Sequence, residues 1–230
     1  RGAFERAMAA VENGKYAIAF SSGLGATTSI MMTLSSGDHV ICIDDVYGGT
    51  QRMFRRVMEG QFGVKFTFMD LSDADAIVAA IRPETKMVWM ESPTNPTLKV
   101  SDVRMVSDAV KKQANRPDIT IVMDNTFATC YLQNPLDLGA DIAFHSVTKY
   151  IGGHSDVVMG VLCLNDDQLW DKLKFQLEEL EEDLEESTVT RRYPHSDLLS
   201  IVYRAFRPLP GHATHRHSSP RPHPSSFVYP

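Results

Sequence analysis

Apolar residues along this chain follow two alternating patterns. Short, nearly continuous apolar runs fall at Tyr16–Phe20, His39–Ile43, Val64–Met69, Lys86–Met90, Ile119–Met123, Ala140–His145 and Val157–Leu164. Their length and their flanking turn residues predict buried strands. Between them lie segments with helical periodicity. Ala3–Glu12 is closed by Asn13-Gly14, Gly being favoured just past a helix end. A second helix follows the Ser21-Ser22-Gly23 turn and runs through Leu34 to the stop at Ser36-Gly37-Asp38. Gln51–Gln61 puts Met53, Phe54, Val57 and Met58 on one face, with Arg52, Arg55, Arg56 and Glu59 largely elsewhere. Asp73–Ile81, with Ser72 as its cap, and Asp102–Ala114 complete the set. Strands alternating with helices predict an α/β fold, a mostly parallel sheet with helices on both faces. Such sheets bind ligands at the carboxyl ends of their strands. Ser22-Gly23, Asp44-Asp45 with Tyr47, Asp124, and Ser146–Lys149 all fall at such ends.

The pattern covers residues 1–175, which we read as one domain. Residues 176–192 are acidic, with Leu177, Leu180 and Leu184 at helical spacing, and read as a solvated amphipathic helix. Residues 193–230 hold seven prolines and five histidines and are expected to be disordered. His212, His215 and His217 lack a rigid element or a Cys partner, so no metal site is expected. A formal net charge of −6 over 230 residues argues against a nucleic-acid partner. Apolar residues make up 43% of the chain, enough for a core, yet no run of about 18 could span a membrane. Cys42, Cys130 and Cys163 form no C-x-x-C pair, which fits free thiols in a reducing, cytoplasmic compartment.

Four places carry candidate chemistry. Lys149 lies just after an apolar strand, flanked by the hydroxyls of Ser146 and Thr148. It reads either as a strand-end lysine reaching solvent or as an amine that attacks an aldehyde, with the hydroxyls available to a phosphate. Ser22-Gly-Leu-Gly-Ala-Thr27 joins a strand to a helix, and a helix N-terminus offers free N–H groups to phosphate. Gly23 and Gly25 with Asp44 or Asp45 about 20 residues on also resemble a dinucleotide fingerprint, which Thr28 at the third Gly position weakens. Asp124 is either a satisfied strand-end acid or the carboxylate that keeps a pyridine nitrogen protonated. Tyr47 is either loop packing or a ring that stacks on a cofactor and exchanges protons.

Six motifs occur in a fixed order: Ser22-Gly-Leu-Gly-Ala-Thr, Asp44-Asp-Val-Tyr-Gly-Gly-Thr-Gln-Arg, Glu91-Ser-Pro-Thr-Asn-Pro-Thr, Met123-Asp-Asn-Thr-Phe, Ser146-Val-Thr-Lys-Tyr and Gly152-Gly-His-Ser-Asp-Val-Val-Met-Gly. Together they resemble the cystathionine gamma-lyase branch of the Cys/Met-metabolism enzymes, a fold-type I family dependent on pyridoxal 5'-phosphate (PLP). The resemblance implies the large domain of that aminotransferase-like fold. It implies that Lys149 holds the cofactor covalently and moves protons, and that Asp124 pairs with the pyridinium. The Gly23 and Leu24 amides, Ser146 and Thr148 would hold the phosphate. Thr126 would sit near the ring, Tyr47 would stack on it, and Arg52 and Asn95 would lie toward the substrate. The implied reaction cleaves cystathionine to cysteine, 2-oxobutanoate and ammonia, with hydrogen sulfide release from cysteine as a side activity, in a homotetramer. A gamma-synthase or methionine gamma-lyase is the near alternative. The family's upstream Tyr-x-Arg segment and its C-terminal domain, with the arginine for the substrate carboxylate, have no counterpart here. The expectation is therefore a fragment of low activity, or a non-catalytic remnant that binds PLP or joins intact subunits.

Overall fold

The structure, a computed structural model, describes residues 1–176. The acidic helix and the Pro/His-rich tail expected beyond Gln176 lie outside the described residues. Seven strands form one sheet: β1 (Tyr16–Phe20), β2 (His39–Ile43), β3 (Lys65–Met69), β4 (Thr85–Glu91), β5 (Thr120–Asp124), β6 (Ile142–Ser146) and β7 (Gly160–Leu164). Their order is β1-β7-β6-β5-β4-β2-β3. The pairs β2–β3, β2–β4, β4–β5 and β5–β6 are parallel. β7 is antiparallel to both neighbours, so it alone is reversed. The fold expected from the alternation is therefore present.

The inner strands explain why they read as apolar runs. Every residue of β2 and of β7 is buried, and in β4 only Lys86 is exposed. A strand covered on both faces has no polar side to alternate. Trp89 on β4 is fully buried, with the Phe54 ring edge-on at 5.2 Å and Phe144 at 5.8 Å. The edge strand β3 is only half-buried, and the Arg55 guanidinium lies 4.0 Å from the Phe68 ring centroid.

The helices are α1 (Gly2–Val11), α2 (Gly23–Met31), α3 (Gly48–Met53), α4 (Ala74–Ala80), α5 (Val103–Asp108), α6 (Thr129–Leu132) and α7 (residues 167–176). α3 continues as a π-helical stretch, Phe54–Glu59, and α5 as another, Ala109–Gln113. Phe54 and Met58 are buried while Arg52, Arg55, Arg56 and Glu59 are exposed, as their spacing required. Most strand limits shift by one to three residues from the sequence reading, β7 beginning at Gly160 rather than Val157, and the helices differ in three respects. Asp73, not Ser72, caps α4: its Oδ1 accepts from the Asp75 and Ala76 amides. α2 ends at Met31, three residues before Leu34. α7 was not anticipated, although Asp166 caps it by accepting the Leu169 amide at 2.7 Å and Leu173 is fully buried.

Candidate functional site

The carboxyl ends of β2, β4, β5 and β6 face one edge of the sheet. β2→β3 runs one way from β2 and β4→β5→β6 runs the other, so the loops after β2 and β4 flank a point where strand order reverses. Crevices of that kind hold ligands in α/β sheets.

The turn after β1 approaches the end of β6. Ser22 caps α2, its hydroxyl accepting the Gly25 amide at 2.9 Å, and its carbonyl accepts the Ala26 amide. Among the described residues the Gly23 and Leu24 amides, the first two of the helix, have no such partner, as helix geometry dictates. Gly23 abuts Ser146: a Cβ on Gly23 would stand 3.1 Å from Ser146 Cβ and Oγ. Gly160 of β7 lies beneath the same turn. A Cβ there would meet Ser22 O at 2.5 Å and Gly23 Cα at 2.9 Å, so no other residue fits without moving the turn.

From Ser146 the contacts run across the strand ends. The Ser146 amide donates to Thr126 Oγ1 at 2.8 Å, and the Thr126 amide donates to Asp124 Oδ1 at 3.0 Å. Asp124, 6% exposed, stands in register with Glu91 of β4. Glu91, 4% exposed, accepts the Tyr47 amide at Oε2, 2.9 Å, and the Asn95 amide at Oε1, 2.8 Å. Burial, with Asp124 as a second negative neighbour, pushes the Glu91 carboxyl up to about 8. Burial likewise raises Asp124, to about 6, against the lowering effect of its Thr126 hydrogen bonds and of His145. Two adjacent buried carboxyls resist double ionisation. Asp45 adds an outer tie, accepting Thr94 Oγ1 at 2.5 Å and the Thr97 hydroxyl, and these bonds hold its carboxyl low.

Lys149 sits in the turn after β6, its amide donating to Ser146 O at 3.1 Å. Its side chain is exposed, and among the described residues its amine has no hydrogen-bond or ion-pair partner. Tyr47 is 45% exposed at the head of α3, where Gly49 leaves room for its ring: a Cβ on Gly49 would stand 2.5 Å from Tyr47 Cε1. Gly23, Ser146, Thr126, Asp124, Tyr47 and Asn95 are thus joined by direct contacts, with Glu91 as the link that sequence reading missed. Its signal was present, as the first residue of the Glu91–Thr97 motif at a strand end. Arg52 is exposed on α3 and touches none of these groups. Leu24 is exposed on α2. Thr148 also bonds the backbone of β7's approach. Its hydroxyl donates to Met159 O at 3.2 Å and accepts the Met159 amide at 3.0 Å, so its one proton is committed to the backbone. Among the described residues no cluster of three or more His, Cys, Asp or Glu side chains has the arrangement of a metal site, and no helix is long and apolar enough to cross a membrane.

Behind the site lies a second buried group. Glu12 Oε1 pairs with His145 Nε2 and accepts Asn125 Nδ2 at 3.0 Å, the Glu12 and His145 side chains being fully buried. Asn125 and His145 immediately adjoin Asp124 and Ser146 in sequence.

A mostly parallel α/β sheet with an amide-lined turn, a buried carboxyl and an unpaired lysine at one edge is the design of a phosphate-bearing aldehyde cofactor's site. The chain belongs to the Cys/Met metabolism PLP-dependent enzyme family, whose profile matches residues 1–188. It is 57% identical over 175 residues to cystathionine gamma-lyase of Dictyostelium discoideum, covering 76% of this chain and 44% of that protein. It is 51% identical over 175 residues to cystathionine gamma-lyase of Homo sapiens, covering 76% of this chain and 42% of the relative. A probable cystathionine gamma-synthase of Herpetosiphon aurantiacus is 50% identical over 175 residues, covering 76% and 53%. The fold is similar to the crystal structure of metB from Corynebacterium glutamicum, with a TM-score of 0.72, 44% identity, and 75% of this chain and 44% of that one covered. It is also similar to cystathionine gamma-lyase from Lactobacillus plantarum complexed with L-serine, with a TM-score of 0.70, 40% identity, and 74% and 44% covered. The chain spans about half the length of these relatives or less.

Proposed function

We propose that this chain carries the cofactor-binding part of a PLP-dependent carbon–sulfur lyase that cleaves cystathionine to cysteine, 2-oxobutanoate and ammonia. The observation that carries this is the contact path from the α2 turn through Ser146 and Thr126 to Asp124, with Lys149 in the turn that Ser146 opens. The residues fit the group. The Gly23 and Leu24 amides and the Ser146 hydroxyl suit a phosphate, and Asp124 suits a pyridine nitrogen. The Gly160–Ser22 approach leaves the turn no room for a side chain. Bound there, PLP supplies an electron sink for carbanion chemistry.

The protein's own groups divide the remaining work. Lys149 would hold the cofactor covalently and move the proton taken from the substrate Cα. Asp124 would keep the ring nitrogen protonated. Thr126 orients Asp124 through its amide and would lie near the ring. Tyr47 would stack on the ring, and Arg52 and Asn95 would face the substrate. Thr148 would serve the phosphate by turning its O–H from Met159 O while still accepting the Met159 amide. Hydrogen sulfide release from cysteine is the side activity. The assembly is a homotetramer in the cytoplasm, a setting consistent with the free Cys42, Cys130 and Cys163. A gamma-synthase is the second reading, favoured by the 50% identity to the Herpetosiphon aurantiacus protein. The test is to incubate the chain with PLP, reduce with borohydride and map the adduct, then assay 2-oxobutanoate release from cystathionine against cystathionine formation from cysteine and an O-acylated homoserine, whose acid is the leaving group. An adduct at a lysine other than Lys149 overturns the assignment. Cystathionine formation without 2-oxobutanoate release favours the synthase.

A further inference from the structure

We propose that Glu91 is a positioning residue of this site: its single buried carboxyl sets the spacing between the loop that presents Tyr47 and the loop that presents Asn95. The inference rests on the reading above, in which those two residues face the cofactor ring and the substrate.

Glu91 is the last residue of β4, a strand buried on both faces, so its backbone is fixed by the sheet. Its two oxygens reach in opposite senses. Oε2 takes the amide of Tyr47, which follows β2, and Oε1 takes the amide of Asn95, four residues along its own chain. Both bonds are partly shielded from water, a setting in which a donor left without its acceptor is costly. The side chain is therefore a short strut between two loops that are also tied together at an outer rim. There Asp45 grips Thr94 and Thr97, and Lys99 reaches Asp44 at 3.1 Å. That rim keeps both loops attached to the fold when the strut is altered. The placement also has a cost that a purely structural strut would avoid. A carboxyl in register with buried Asp124 disfavours ionisation of both, and burial raises each. A second acid so close to the group assigned to the ring nitrogen suits a role in which Glu91 keeps the proton and leaves Asp124 charged.

Glu91→Gln separates this role from simple filling of space. Glutamine matches the size of a protonated carboxyl, but its amide nitrogen carries no acceptor. It can serve one of the two backbone amides and must face the other with N–H against N–H. The experiment compares the full chain with its Glu91→Gln variant in three measurements. Hydrogen exchange at the Tyr47 and Asn95 amides is followed without cofactor, visible circular dichroism is recorded per lysine-bound cofactor, and the unfolding midpoint is determined. We expect exchange at one of the two amides to accelerate about tenfold or more. Borohydride-fixed cofactor at Lys149 should persist, its dichroism should fall, and the midpoint should hold. Wild-type protection of both amides in the variant overturns the proposal. A dichroism change that only accompanies a fallen midpoint also overturns it, assigning Glu91 to the fold alone. A wild-type chain that takes up no PLP refutes the functional reading, and the positioning role falls with it. The exchange data on cofactor-free protein distinguish that failure from a failure of the strut itself.

Discussion

The buried Glu12–His145 pair offers the sharpest test of how the site is held from behind. Glu12 ends α1, and through one oxygen it contacts both His145 at the end of β6 and Asn125 just past β5. All three residues are fully buried. Glu12→Ala removes one member and strands the other two. His145 Nδ1 already lacks a partner, so the variant would leave the whole imidazole unsatisfied. Asn125 keeps its bonds to Gln133, the Nδ2 contact to the carbonyl at 2.8 Å and the Oδ1 contact from Nε2 at 3.0 Å, and loses only the acceptor that Glu12 Oε1 gave its Nδ2. Breaking a buried pair from one side costs about 3–5 kcal/mol. Against a domain stability of about 5–15 kcal/mol that is about a fifth or more of the total. At about 2–4 °C per kcal/mol for a domain of this size, the midpoint should fall by about 6–20 °C. The same bookkeeping predicts that Glu12→Leu with His145→Phe recovers most of the loss, because apolar groups of similar volume often replace a buried pair at little cost. Thermal and urea unfolding of the two single variants and the double variant closes a mutant cycle. A Glu12→Ala loss below about 1 kcal/mol, or a double variant no more stable than the singles, would refute the reasoning.

Four further outcomes follow from the same geometry. Gly160→Ala drives a Cβ to 2.5 Å from Ser22 O and 2.8 Å from Ser22 C, so the α2 turn must shift. PLP affinity should fall about tenfold or more with a stability loss of about 1–3 kcal/mol, read by equilibrium dialysis and unfolding. Lys149→Ala should abolish borohydride-fixed PLP and leave the unfolding midpoint within error, because the side chain is exposed and unpaired. Asp124→Asn should lower kcat/KM far more than cofactor affinity, since an amide cannot hold the ring nitrogen protonated; this is measured in a chain of full family length, where near wild-type turnover counts against the role. Stability should also fall between about pH 6.5 and pH 8. Glu91 is raised from 4.5 to about 8 in the fold, so the native state binds the extra proton across that interval and loses the advantage as pH rises. Asp124, raised to about 6, acts in the same direction at lower pH. His39, lowered to about 4 mainly by burial, acts oppositely, and its contribution is complete by about pH 6.5. Glu91→Gln should flatten the upper interval, and an unchanged slope in chemical denaturation would remove Glu91 as its source.

How far the site could be read from sequence depends on what kind of contact makes it. Lys149, Asp124 and Ser146 were legible because each terminates or follows an apolar run, and a parallel sheet gathers strand ends without further instruction. Tyr16–Phe20 and His39–Ile43 matched to the residue because mostly or wholly buried strands have sharp polar limits. Helix limits were less secure. Ser72 and Asp73 are both good caps, and only the geometry of Asp73 to the Asp75 and Ala76 amides decides between them. Glu91 was hidden for a different reason. Its partners are the backbone amides of Tyr47 and Asn95, and backbone amides carry no residue signature. Thr148 shows the opposite case. Its hydroxyl looked free in the motif, while strand pairing of β6 with β7 brings Met159 to it. Glu12 and His145 lie 133 positions apart, and nothing local marks either as half of a pair. The side chains proposed to act on a ligand were thus visible from local pattern, whereas side chains that act on other protein atoms required the sheet order first. The supporting shell of this site, Glu91 in front and Glu12 with His145 behind, is built almost wholly from that second kind, which is why substitutions there test the structure more severely than substitutions at Lys149.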